Sequence, residues 1–246
     1  RELHQAYVDA GCELLTTNTF GGSSTALKRH ELDGRTHEIN KAGAQVAKQA
    51  GESTGALVMA DIGPFGDFLE PVGLVTIDQL TAIFGEQLQA MHEGGADCVV
   101  VETMSDPAEV AVAIKVAKDT ADWPIISTYA FQKTTEGEFR TMMGTTVEQA
   151  MDASREAGAD VIGTNCGTSL ALEDYALLAE QLVDAAKGLP VIVQPNAGAP
   201  EQVDGQVVYP ATPQQMADLA QNMIDKGVRI VGGCCGTTPD HLKAIA

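Results

Sequence analysis

The sequence predicts an α/β fold, a (β/α)8 TIM barrel, and three observations carry that prediction. A pattern of acidic residue, one residue, Gly, two residues and an apolar run recurs four times. Helical stretches alternate with these runs, which means a parallel sheet with crossovers. The chain has 246 residues, close to the roughly 250 that such a barrel takes.

The elements follow in order. RELHQAYVDAG opens the chain as an amphipathic helix without the character of a signal peptide. The four repeat copies are DAGCELLTTN from Asp9, EGGADCVVVET from Glu93, EAGADVIGTNC from Glu156 and DKGVRIVGGCC from Asp225. In each copy the Gly reads as a helix C-terminal cap, where a left-handed backbone suits a residue without Cβ. The apolar run after it reads as a strand buried on both faces. ALVMADIGP from Ala56, PIISTYAF from Pro124 and PVIVQPNAG from Pro190 supply three more strands. Helical patterns start at Thr36, Thr76 and Thr212. Thr76, Ser105, Thr145 and Thr212 stand where N-caps belong, with Pro107 and Pro213 suited to first turns.

The count is one helix and then seven strand–helix units. An open doubly wound sheet is the competing architecture. No GxGxxG follows the first strand, so its dinucleotide-binding form has no support. A closed barrel needs eight strands. The missing first strand is expected ahead of residue 1, so residues 1–246 read as a single, N-terminally truncated barrel domain.

Composition narrows the function. Hydrophobic residues make up 44% and charged residues 20%, the balance of a globular domain. The net charge of -19 argues against nucleic acid and anionic membrane as partners. An acidic solvated surface accounts for it without a dedicated cationic partner. No run of about 18 apolar residues occurs, so no membrane span is expected. Five cysteines at irregular spacing are not a secreted disulfide framework, and a cytoplasmic setting is expected.

The repeat aligns the strand ends. Seven and eight residues after each cap glycine stand Asn18 and Thr19, Glu102 and Thr103, Asn165 and Cys166, and Cys234 and Cys235. Asp61 and Asn196 take similar places in other units. Barrel enzymes build their sites at this end of the strands. Any strand must end in something polar before a loop, so polarity alone decides nothing. Three of five cysteines at two equivalent sites are harder to dismiss. Cys12 and Cys98, at strand starts, read as buried small hydrophobes.

For Cys166, Cys234 and Cys235 three readings stand: inert core thiols, a redox pair, or a metal site. No CxxC favours the redox pair. Three thiolates select a soft or borderline ion, zinc above all. Gly232, Gly233 and Gly236 supply the backbone freedom that lets adjacent cysteines reach one ion. His4, His30, His37, His92 and His241 form no metal-spaced pair. Three protein ligands leave a fourth position open, the mark of a catalytic site. Such an electron-rich centre suits activation of another thiol better than hydrolysis.

TNTFGG (17–22), DIGP (61–64), VETMSD (101–106), TNCG (164–167), QPNAG (194–198) and GGCCGTTPDHL (232–242) together resemble the zinc-dependent homocysteine S-methyltransferases. These include the homocysteine-binding half of cobalamin-dependent methionine synthase and the betaine–homocysteine methyltransferases. The resemblance spans nearly the whole chain, and TNCG followed by GGCCGT is its specific part. It implies a (β/α)8 barrel in which Cys166, Cys234 and Cys235 hold zinc and homocysteine sulfur adds to them. It implies that Glu102 meets the substrate ammonium and that Asn196 approaches zinc when substrate is absent. Thr19 and Asn165 then line the amino-acid pocket. Asn18 is divided between a substrate contact and a bond that holds the strand end. The family's first strand carries a DGAMGT-like segment whose acidic residue shapes the homocysteine site. Nothing here matches it, in keeping with the missing strand.

The expected reaction is transfer of a methyl group to homocysteine, giving methionine. The segment FQKTTEGEFRTMMGTT (131–146) is expected over the barrel mouth. A betaine site calls for aromatics around a quaternary ammonium, and this chain is poor in them at 4%. A methylcorrinoid (cobalamin) carried on a partner module or protein is therefore the favoured donor, with betaine the alternative. Two rivals remain: methylation of another thiol, such as selenohomocysteine or an alkyl thiol, and a non-catalytic zinc module that docks a partner.

Overall fold

The computed structural model describes residues 1–167 and 169–246. The elements, in order, begin with α1 (Glu2–Asp9), β1 (Leu14–Thr16), α2 (Ser24–Lys28), α3 (Thr36–Gly51), β2 (Leu57–Ile62) and α4 (Ile77–Glu93). There follow β3 (Cys98–Met104), α5 (Pro107–Thr120), β4 (Ile125–Tyr129), β5 (Phe131–Lys133), β6 (Phe139–Thr141) and α6 (Val147–Ala157). The chain continues with β7 (Val161–Asn165), α7 (Leu172–Ala185), β8 (Val191–Gln194), β9 (Glu201–Val203) and β10 (Gln206–Val208). It ends with α8 (Pro213–Asp225), β11 (Ile230–Val231) and α9 (Pro239–Ile245).

Seven strands form one parallel sheet in the order β1-β2-β3-β4-β7-β8-β11. Sequence order is kept, with a helix after each strand, as in a barrel and unlike a doubly wound sheet. All seven strands expected from the sequence are present. The arc is partial. β1 and β11 do not pair, and a cavity of about 710 Å³ lies between them, lined also by α1 and α9.

Local chemistry explains the elements. The cap glycines Gly11, Gly95, Gly158 and Gly227 all have positive φ, from 91° to 108°. Thr76 and Thr212 cap α4 and α8 through reciprocal capping boxes. Two caps lie one residue beyond the expected Ser105 and Thr145. Asp106 caps α5, because its carboxylate reaches the Ala108 N–H while Pro107 takes the first turn. Thr146 caps α6, because Gln149 lies three residues on and completes the box. Leu80, Phe84, Leu88 and Met91 form a buried stripe along α4, each worth about 1.5–3 kcal/mol of burial.

The inside of the arc is a separate, smaller core. Met59, Cys98, Val100, Ile126 and Ile192 pack there with Leu14, Val161 and Ile230, so every strand of the parallel sheet contributes. Side chains alternate along a strand. The same inward face therefore continues upward through Asp61, Glu102, Thr128, Asn165 and Gln194, where apolar residues give way to polar ones. Cys98 belongs to this core as expected, whereas Cys12 is only partly buried. Two hairpins not foreseen from the sequence, β5–β6 and β9–β10, rise from loops after β4 and β8.

Candidate metal and substrate site

The three cysteines that the repeat aligned do converge. Cys166 follows β7, and Cys234 and Cys235 follow β11. Their Sγ atoms all lie within 4.8 Å of one another. Cys166 and Cys235 are 3.9 Å apart, as are Cys234 and Cys235. That is far beyond a disulfide, and all three are free thiols. Two sulfurs on a tetrahedral zinc-sized ion, each about 2.3 Å from it, stand about 3.8 Å apart. The donor set and its spacing therefore fit a metal ion. No histidine joins this group, and it is the one such cluster among the described residues.

The backbone is bent to make this possible. Cys166 has φ 54° and Gly167 φ 125°. A non-glycine residue in the left-handed region carries strain that its surroundings must hold. The Cys166 N–H donates to Gln194 O, and Cys166 O accepts from the Tyr175 hydroxyl at 2.6 Å. On the other arm Gly236 has φ 78°, and a Cβ there would fall 2.3 Å from the Tyr209 ring. The glycine after the cysteine pair thus serves both the turn and the close approach of Tyr209.

Asn196 braces the two arms. Its Nδ2 donates to Gly167 O, its Oδ1 accepts from the Cys235 N–H, and its own N–H donates to the Tyr175 hydroxyl. Its amide is thus engaged with the two cysteine-bearing loops.

The thiols share protons. Cys235 is pushed down to about 5, first by its hydrogen bond from Cys234, with help from the Tyr209 hydroxyl. Cys166 is also lowered, again chiefly by Cys234. Cys234 is raised, since it donates to Cys166 and then Cys235. The downward shifts of Cys235 and Cys166 favour the thiolate, the form of cysteine that binds a cation.

Asn165 links this cluster to the carboxyl groups. Its Nδ2 donates to Glu102 Oε2 and to Thr103 Oγ1, both at 2.7 Å, and lies 3.8 Å from Cys234 Sγ. Its Oδ1 accepts from the Thr103 N–H and the Thr128 hydroxyl, both at 2.7 Å. Thr103, at φ 60°, turns the strand end so that both its groups reach Asn165. Glu102 is raised, first by burial and also by the charge of Cys235, while Asp61 and Asn165 oppose the shift. Asp61 is raised well above the ordinary range by burial and by the charge of Glu102.

Not every expected site residue comes to this place. Asn18 is exposed and lines the cavity that Cys234 also lines. Thr19 is turned the other way. Its hydroxyl meets Thr17 Oγ1 at 2.6 Å, Asp61 O at 2.8 Å and Met91 Sδ of α4. Its polar group is spent between strand and helix. Thr128, Tyr175 and Tyr209 had no signal in the repeat. Thr128 lies mid-strand in an apolar run, and the two tyrosines come from a helix and a loop.

Comparison with known proteins agrees with this geometry. The profile described as Homocysteine S-methyltransferase matches residues 1–246.

The chain belongs to the homocysteine S-methyltransferase family.

Two methionine synthases, from Mycobacterium leprae and Mycobacterium tuberculosis, are each 30% identical to it over 99% of this chain. The chain spans only 20% and 21% of their lengths. The metallated form of the homocysteine methyltransferase MmuM from Escherichia coli superposes with a TM-score of 0.79 at 20% identity, covering 99% of this chain and 82% of that one. The oxidized form gives 0.78. At that identity the likeness establishes the fold, a partial (β/α)8 barrel in this family member.

Proposed function

We propose that this family member, with residues 1–246 as one homocysteine-binding domain, transfers a methyl group to the sulfur of homocysteine and yields methionine. The observation that carries the reading is the juxtaposition at neighbouring strand ends: three thiols within 4.8 Å of one another, joined through Asn165 to Glu102. A thiol-seeking site and an ammonium-seeking carboxylate within one network match an amino acid that bears a thiol.

Cys166, Cys234 and Cys235 would hold zinc, with a fourth position free. Zinc at such a site lowers the pKa of an added thiol and keeps it nucleophilic at neutral pH. The chain does the rest. Glu102 takes the substrate ammonium, Asn165 fixes the Glu102 carboxylate, and Asn18 stands at the cavity wall. Asn196 and Tyr175 hold the cysteine arms in register. In the transfer, a sulfur lone pair forms the S–CH3 bond, the bond from methyl to donor breaks, and its electron pair stays with the donor. The substrate thiol proton is lost on binding.

The donor we favour is a methylcorrinoid on a partner module. The support is that four-fifths of the matching methionine synthases lies outside the region shared with this chain. No helix among the described residues is long and apolar enough to cross a membrane, and a cytoplasmic setting fits five free thiols.

Zinc-edge X-ray absorption with and without homocysteine tests the reading. A change from three to four sulfur neighbours is expected. An unchanged sulfur count would favour a closed zinc module that only docks a partner.

A further inference from the structure

Asp61 is a buried acid to which the proposed reaction gives no task. It lies two residues beyond Met59 on the inward face of β2 and is 2% exposed. Its backbone is held on both sides: its N–H donates to Thr17 Oγ1 at 2.9 Å, and its carbonyl accepts from Thr19 Oγ1 at 2.8 Å. Thr17 and Thr19 thus hold the stretch of backbone that carries the carboxyl. Among the described residues its Oδ1 has no hydrogen-bond partner.

Asp61 pairs in register with Val100 of β3, and Glu102 stands two residues further along the same inward face of that neighbouring strand, where its charge helps to raise Asp61 after burial. Among the described residues neither acid belongs to an ion pair. Two buried carboxyls without a cation are costly unless protonated or matched by a positive ligand. Asn165 occupies one Glu102 oxygen and Thr103 and Thr128 saturate the Asn165 carbonyl, which leaves Asp61 Oδ1 as the unanswered acceptor.

We propose that Asp61 is a second ligand for the substrate amine, so that Asp61 and Glu102 form a two-carboxyl seat for the primary ammonium of an α-amino thiol. A primary ammonium has three N–H donors and can bond to both acids at once. The seat selects for a free amine and against thiols that lack one. The inference rests on the methyltransferase reading, which makes an amino-acid thiol the substrate.

The test uses the full chain loaded with cobalt(II), whose thiolate absorption reports sulfur binding. L-Homocysteine and its amine-free analogue 4-mercaptobutanoate are titrated into wild type, Asp61→Asn and Asp61→Ser. Two variants guard against a folding defect in one of them, which thermal unfolding and cobalt stoichiometry reveal. Wild type should prefer homocysteine. Loss of Asp61 should weaken homocysteine about tenfold, the scale of one charge-assisted hydrogen bond, and leave 4-mercaptobutanoate unchanged. Equal weakening of both thiols, with or without misfolding, or no weakening of either, overturns the proposal. If the wild-type spectrum responds to neither thiol, the methyltransferase reading fails and takes this one with it. If it responds and the variants keep the wild-type preference, only the role of Asp61 falls.

Discussion

The Asn165 side-chain amide donates to Glu102 Oε2 at 2.7 Å while standing 3.8 Å from Cys234 Sγ. One side chain thus bridges the Glu102 carboxyl and the cysteine cluster. Its other partners, Thr103 and Thr128, hold its amide in that orientation.

Asn165→Ala should therefore separate the two ends. It leaves the Thr103 N–H and the Thr128 hydroxyl without their acceptor, at a cost of about 1–3 kcal/mol for a buried group. We expect lower thermal stability and a homocysteine affinity reduced about tenfold or more, with metal stoichiometry retained. Calorimetric titration alongside metal analysis checks this. Loss of metal without loss of homocysteine binding would contradict it.

Cys166→Ala, Cys234→Ala and Cys235→Ala should each lose zinc and methyl transfer together. Removing one of three ligands should weaken zinc by more than about a hundredfold. Metal content after dialysis and methionine formation are the paired readouts. Full methyl transfer by a zinc-free variant would show that the thiols serve something else.

Tyr175→Phe removes a hydroxyl that donates to Cys166 O and accepts from the Asn196 N–H. No sulfur is touched, yet the strained Cys166 turn loses its clamp. We expect zinc to be bound about 10- to 100-fold more weakly, the usual scale for a supporting partner. Competition with a chromophoric chelator measures it. Unchanged zinc affinity would mean that the loop keeps its shape without the tyrosine.

Glu109 gives the fold a pH dependence. It is buried on α5, where it accepts the Phe65 N–H at 2.8 Å. Burial, with a smaller push from Asp106, raises its pKa from 4.5 to about 7. The unfolded chain therefore releases this proton at lower pH than the folded one. The contribution is complete below pH about 4.5 and is lost as pH rises through about 7, on the order of 3 kcal/mol. Glu109→Gln keeps the acceptor for Phe65 and removes the titration. Its unfolding midpoint should fall less than that of wild type between pH about 5 and 7. Parallel midpoints across that window would mean that Glu109 titrates normally.

Much of the site was legible because strand–helix repeats carry positional information. Once the cap glycines are aligned, Cys166, Cys234, Cys235, Glu102 and Asn165 fall at equivalent strand ends, and parallel strands in one curled sheet bring equivalent ends together. Thr19 shows the limit of that logic. It lies three residues past the end of β1, where strand alternation no longer fixes the direction of a side chain. Its hydroxyl accordingly meets α4 and the Asp61 carbonyl, away from the cysteines.

The sequence by itself determined the order of the elements, the parallel sheet, the cap positions to within one residue and which three cysteines stand at neighbouring strand ends. These follow from local periodicity, from glycine's access to positive φ and from the rarity of cysteine. Only the tertiary structure decided which polar groups spend their hydrogen bonds on one another. Tyr175 on a helix, Tyr209 in a loop and Thr128 inside a strand reach the site across spans that no local pattern encodes. Asp61 was visible as a strand-end acid, but that its oxygen is buried and unpartnered beside Glu102 depends on how two neighbouring strands pack.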